Sequence, residues 1–212
     1  MTDTPQAANE NRAGLLRPYS LEDERLKRLW QIVRDHSLMI GDFTLTSGRK
    51  SNYLFQLRPT TMHPEGAAII GELIVEFMQK NDLWAIGGLE MGAVPIVCTV
   101  GVTSYHMGWP VNAFFMRKKA KEHGAKQLFD GWLPPVSEEE PEKVLVVDDV
   151  TTTGGSLLKV VKTLREMGYV VDTAFSVVDR EEGAVENLGA EGVTLHALLA
   201  RSDFAELLEG KG

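Results

Sequence analysis

The chain has 212 residues, 43% of them hydrophobic and 25% charged, with a formal net charge of −8, a composition that suits one globular domain with a sizeable core. The acidic balance argues against general affinity for nucleic acid, because phosphate contacts need a basic face. The longest apolar stretch, Ala93 to Val102, is about half of what a bilayer-spanning helix requires, and the first residues lack a secretory pattern, so a cytoplasmic protein with no membrane partner is expected.

Residues 1 to 20 are polar and aperiodic and read as a mobile tail, with a single domain from 21 to 212. From Leu21 to Met39, the residues Leu26, Leu29, Trp30, Val33 and Leu38 recur at helical spacing, and Gly41 supplies a stop. FTLTSGRKSNYLFQL then sets Phe43 and Leu45 on one arm and Tyr53, Phe55 and Leu57 on the other, which predicts a β-hairpin turning at Gly48. A further helix follows Pro64. Beyond it, strands are predicted near 84–88, 111–116, 143–148, 170–178 and 193–199, and helices near 93–106, 155–167 and 183–189. That alternation is the signature of βαβ units and a parallel sheet. Cys98 is the only cysteine, so no intrachain disulfide can form, and within AVPIVCTVGV it is expected to behave as a small core hydrophobe. Lys118 to Glu142 is charged and rich in Gly and Pro; a structureless connection of that length implies a functional lid or disorder.

The most informative segment is VLVVDDVTTTGGS, Val144 to Ser156. An apolar strand ends in two carboxylates, a hydroxyl and glycine turn follows, and a helical stretch begins. Ligands of open α/β sheets bind at this end of the strands. Glycines let the backbone curl round an anion while amide N–H groups and the positive end of the next helix face it. No Lys follows the glycines, which excludes the nucleoside-triphosphate P-loop, and the spacing is not that of the dinucleotide fingerprint. Adjacent Asp148 and Asp149 repel one another and call for hydrogen-bond donors such as ribose hydroxyls.

This segment resembles the 5-phosphoribosyl 1-diphosphate (PRPP) motif of the type I phosphoribosyltransferases. The resemblance implies a mainly parallel five-stranded sheet flanked by helices, with an N-terminal helix and hairpin hood, about 21–60, over the base site. It also implies that Asp148 and Asp149 hold the ribose hydroxyls, while Val150, Thr151, Thr152, Thr153, Gly154, Gly155 and Ser156 wrap the 5′-phosphate.

A second stretch, FMRKKAKEHGAKQLFDG ending at Gly131, is similar to the catalytic loop of orotate phosphoribosyltransferases, here about 117–142. By that likeness Arg117, Lys118, Lys121 and His123 grip the diphosphate, Lys121 and His123 foremost in catalysis. Independently, a cluster of cations in an acidic protein makes a sensible polyanion clamp. SVVDREEGA resembles the family's base-side segment, which assigns Arg180 to the orotate carboxylate. The hairpin places Phe55 against the base with polar contacts from Ser47 to Ser51, and Thr152 is a further orotate contact. GGLEMGAVP looks like the glycine loop beside the diphosphate. Met91 and Thr46 stand where some members carry Lys, with Lys50 a candidate replacement, and Leu54 stands where some have an aromatic residue. The family further implies Mg²⁺ held through PRPP and water with no direct protein ligand, and a homodimer whose basic loop reaches the neighbouring site. A transferase for another base and a PRPP-sensing regulator share the same scaffold.

Overall fold

The computed structural model describes residues 9–10, 15–44, 50–119, 128–136 and 142–209. Asp23 caps the first helix, its carboxylate accepting from the Arg25 N–H, so α1 runs over Glu24–His36. The chain reverses into β3 (Leu38–Thr44) and β4 (Lys50–Phe55), which form their own two-stranded antiparallel sheet. A short α2 (Arg58–Thr61) leads to α3 (Pro64–Lys80), where Pro64 occupies the position that needs no N–H.

The alternating region then follows its prediction closely. β5 (Ala85–Gly87), α4 (Ala93–His106), β6 (Asn112–Met116), β8 (Lys143–Thr151), α5 (Gly155–Glu166), β9 (Val170–Asp179), α6 (Ala184–Ala190) and β10 (Thr194–Ala200) come in that order, with β7 (Phe129–Gly131) before β8. Strands β10, β9, β8, β5 and β6 lie side by side and parallel. Three short strands extend this core to eight: β7 pairs antiparallel with β6 at one edge, and β2 (Leu16–Arg17) and β1 (Asn9–Glu10) add to the other beside β10. A 3-10 turn, Arg201–Phe204, and α7 (Ala205–Glu209) follow β10.

Both faces of the sheet are covered. Along β8, Leu145 and Val147 join the core with α1, α3 and α4, while Val144 and Val146 face the one built on α5 and α6. That burial on both sides explains why the strands read as continuous apolar runs. The register sets Asp148 opposite Ser176, Thr151 opposite Asp179, and Asp179 opposite Ala200. The carboxyl ends of β8, β9 and β10 therefore form one crest. Among the described residues, no helix is long and apolar enough to cross a membrane.

Three expectations change. The stretch read as a mobile tail reaches into the fold: Leu15 is fully buried, Arg17 pairs with Asp203 at 2.5 Å, and the Tyr19 hydroxyl donates to the Leu73 carbonyl. Two-residue strands are too short to leave a periodic signal, and they form only because β10 offers an edge. Cys98 is exposed, not a core residue. Helix α4 is apolar on every side, so hydropathy could not tell its inner face, Ile96, Val97 and Val100, from the outer stripe of Cys98, Val102 and Tyr105. The connection after Lys118 is not structureless throughout. β7 pairs with Phe114–Met116 and the Tyr169 hydroxyl donates to the Pro134 carbonyl, whereas residues 120–127 and 137–141 lie outside the described residues.

Candidate active site

At the crest of β8, Asp148 is 9% exposed and Asp149 half-buried. The backbone tightens around them: the Asp149 N–H donates to Asp148 Oδ1 at 3.0 Å and the Val150 N–H to Asp149 Oδ1 at 2.9 Å. Burial, then the Asp149 charge, pushes the Asp148 carboxyl well above the usual carboxylate range, and Lys118 pulls it back in part. The pair is thus short of donors and poised to accept hydrogen bonds from a polyhydroxylated ligand.

The glycine loop lies on top of this pair. A Cβ at Gly88 would stand 2.1 Å from the Val147 carbonyl oxygen, and one at Gly92 would stand 2.4 Å from Asp149 Oδ1 and 2.7 Å from Asp148 Oδ1. Any side chain at Gly92 would occupy the space over both carboxylates. The Glu90 N–H donates to the Met116 carbonyl at 2.9 Å, the Met116 N–H donates to the Gly88 carbonyl at 2.8 Å, and Glu90 Oε1 accepts the Lys118 N–H at 2.8 Å. Met91 is 56% exposed.

The turn after β8 is built locally. Gly154 sits at φ +79°, a conformation that favours glycine, and α5 starts directly behind it. Thr152, Thr153, Gly155 and Ser156 are open at least in part, but Thr151 is buried, its hydroxyl donating to Ser176 Oγ at 2.9 Å. Asn187 on α6 donates to the Thr153 carbonyl at 2.9 Å and so braces the turn from behind.

Two of the four loop residues lie at its root. Arg117 is ion-paired with Asp130 of β7, its guanidinium carbon 5.9 Å from the Phe115 ring, and Lys118 is exposed. Lys121 and His123, together with Thr46, Ser47 and Gly48, fall outside the described residues.

On the far side of the crest, Arg180 is 6% exposed and its N–H donates to the Thr151 carbonyl at 2.8 Å, which ties the turn after β9 to that after β8. Its guanidinium pairs with Glu182 at 2.8 Å and lies 4.9 Å over the Tyr53 ring, while its buried Nε has no hydrogen-bond partner among the described residues. A buried donor without a partner points to a ligand acceptor there. Phe55 is placed differently from expectation: it is buried in the core, edge-on to Phe204 at 5.2 Å, and Tyr53 is the hairpin aromatic that meets Arg180. The period of two puts both rings on one face, but only the tertiary fold decides which of them reaches the site.

Residues 61–198 match the family model described as phosphoribosyl transferase domain. Over 177 residues the chain is 46% identical to the orotate phosphoribosyltransferase of Bradyrhizobium diazoefficiens, covering 84% of this chain and 94% of that protein. The chain belongs to the orotate phosphoribosyltransferase family. A relative from Aquifex aeolicus called orotate phosphoribosyltransferase is 40% identical over 187 residues, 87% of this chain and 98% of that one. The crystal structure of the Mycobacterium tuberculosis orotate phosphoribosyltransferase in complex with PRPP superposes with a TM-score of 0.66 at 30% identity, covering 84% of this chain and 90% of that chain. The matched family span carries the glycine loop, the acidic pair and the turn after β8; the hairpin with Tyr53 and the turn at Arg201 fall outside it.

Sequence reasoning missed three contributors: Asn187, Ser176 and Tyr53. The first two act on backbone or hydroxyl groups from other elements and leave no motif. Tyr53 was legible only as one of several alternating aromatics.

Proposed function

We propose that this chain transfers the 5-phosphoribosyl group of PRPP to a ring nitrogen of orotate, breaking the C1–O bond to diphosphate, forming a C1–N bond and giving orotidine 5′-phosphate for UMP synthesis. The observation that carries the reading is the Asp148–Asp149 pair under Gly92, flanked by the Gly154 turn on one side and the buried Arg180 guanidinium on the other. An acidic pair, an anion cradle and a buried cation side by side match a ribose, its 5′-phosphate and an anionic base.

In this reading the carboxylates of Asp148 and Asp149 accept hydrogen bonds from the ribose hydroxyls. The backbone from Val150 to Ser156 and the start of α5 hold the phosphate. Arg180 offers its planar fork to the base carboxylate, with Thr152 beside it. As the C1–O bond lengthens, negative charge gathers on the diphosphate, and Arg117, Lys118, Lys121 and His123 are the cations placed in sequence to meet it. Closure of their loop would exclude water from a carbocation-like sugar.

The donor set also fits Mg²⁺. The two acidic oxygen groups of Asp148 and Asp149 suit an ion that keeps its waters and binds chiefly through substrate oxygens. When bound, Mg²⁺ neutralises diphosphate charge. A homodimer is part of the same reading, supported by the exposed apolar stripe of Val102 and Tyr105 on α4. The exposed free thiol of Cys98 suits a reducing cytoplasm.

The test is the Mg²⁺-dependent loss of orotate ultraviolet absorbance on adding PRPP, with uracil and hypoxanthine in parallel. Turnover of orotate alone, lowered at least about 100-fold in Lys121→Ala, is the expected result. Activity with another base only would move the chain to a sister specificity, and PRPP binding without turnover would make it a sensor.

A further inference from the structure

The base side holds a second guanidinium that the reading above leaves unused. Because β9 and β10 are parallel and Asp179 is in register with Ala200, the residues that follow, Arg180 and Arg201, leave the sheet next to one another. Both flank one aromatic ring: the guanidinium carbons lie 4.9 Å (Arg180) and 5.6 Å (Arg201) from the centre of Tyr53. Arg180 is engaged by Glu182, whereas Arg201, only partly exposed, has no ion-pair partner among the described residues.

The turn that carries Arg201 is fixed from several directions. The carboxylate of Glu181 accepts from both the N–H and the hydroxyl of Ser202, at 2.8 and 3.0 Å, lacing the turn after β10 to the turn after β9. Glu181 makes this bond from the left-handed region, at φ +56°. Strained backbone in a residue other than glycine persists where the surroundings over-determine it, and such residues cluster at functional sites. On the other flank, Asp203 accepts from the Ala200 N–H at 2.8 Å and pairs with the buried Arg17, while its carbonyl receives the Trp30 indole N–H at 3.0 Å. A turn held in this way presents Arg201 at a set position beside Tyr53.

Charge gives that position a purpose. Arg180, Glu181 and Glu182 together carry one net negative charge, which would repel an anionic base from the arginine meant to receive it. Arg201 brings the cluster to neutrality and leaves one guanidinium without a carboxylate of its own. We infer that Arg201 is a specificity-determining residue of the base site, a second guanidinium that favours an anionic pyrimidine over a neutral one. The inference rests on the orotate reading above.

Its test compares wild type, Arg201→Gln and Arg201→Lys in the absorbance assay, with KM measured separately for orotate and PRPP and with uracil as the neutral base. In Arg201→Gln the KM for orotate is expected to rise about tenfold, the size of one charge-assisted contact, with the KM for PRPP and the melting temperature unchanged. The inhibition constant of uracil, added as a competitor of orotate, should stay unchanged, so that the preference for orotate narrows by the same factor, and Arg201→Lys should restore most of it. An unchanged orotate KM in Arg201→Gln, or a rise matched in the KM for PRPP, would overturn the inference while leaving the orotate reading intact. A wild-type protein that turns over no orotate would overturn both.

Discussion

The two ends of the crest are built in opposite ways. The phosphate side is one contiguous stretch, Val144 to Ser156, whose acidic pair, glycine turn and helix start are neighbours in sequence and need only buttresses such as Gly92 and Asn187. The base side is gathered from the hairpin, the turns after β9 and β10, and an N-terminal segment whose Arg17 lies 186 residues from its partner Asp203. In the proposed reading, the difference follows from the ligands. A phosphate is recognised by backbone N–H groups, which a short turn can aim on its own. A planar carboxylate needs side chains with fixed direction, and these are held only by long-range packing.

The largest effect should come from breaking the base side's long-range anchor. Asp203→Ala leaves Arg17, 5% exposed, without its partner, and removing one member of a buried pair costs about 3–5 kcal/mol. Thermal denaturation should show a melting temperature lower by roughly 10 °C; an unchanged melting temperature would mean that the N-terminal segment is dispensable.

On the phosphate side, Gly92→Val should act on chemistry instead. A side chain over both carboxylates, where even a Cβ falls 2.4 Å from Asp149, should lower kcat/KM for PRPP by about 100-fold while the circular dichroism spectrum stays that of wild type. Loss of the fold in this variant would show that the loop is structural before it is catalytic.

A third effect is set by pH, at two residues of the sheet that the proposed chemistry does not use. Burial raises Asp179 from 3.8 to about 6 and lowers His196 from 6.5 to about 4. Asp179 has the higher pKa in the folded state, so its contribution is present at low pH and is lost as pH rises through about 6. His196 has the lower one, so its contribution is present at high pH and is lost as pH falls from 6.5 towards about 4. The two oppose each other and flatten the wild-type profile. Asp179→Asn should unmask the histidine, and urea unfolding between pH 6.5 and 4 should then show a loss of about 2 kcal/mol on acidification. A profile as flat as that of wild type would remove the opposition argued here.

The smallest effect sharpens the contrast. Asn187→Ala frees the Thr153 carbonyl, a loss of about 1 kcal/mol, and should raise the KM for PRPP about fivefold with the KM for orotate unmoved. Equal changes in both would mean that the two sides of the crest are not independent.

Much of the protein was legible in its residues. The order of strands and helices after Pro64 followed from apolar runs bounded by turns, because a strand buried on both faces must be apolar throughout. The acidic pair and its glycine turn were legible because their chemistry is carried by adjacent residues. What the tertiary structure alone decided lies where a decision depends on distant partners. It ordered Leu15 to Ser20 by offering the edge of β10, and it turned Cys98 outward on a helix apolar all round. It paired Phe129–Gly131 with β6, buried Phe55 in the core, and brought Tyr53 between Arg180 and Arg201. Local backbone preference is written in a few consecutive residues, whereas the facing of a side chain is set by the packing of whole elements against one another.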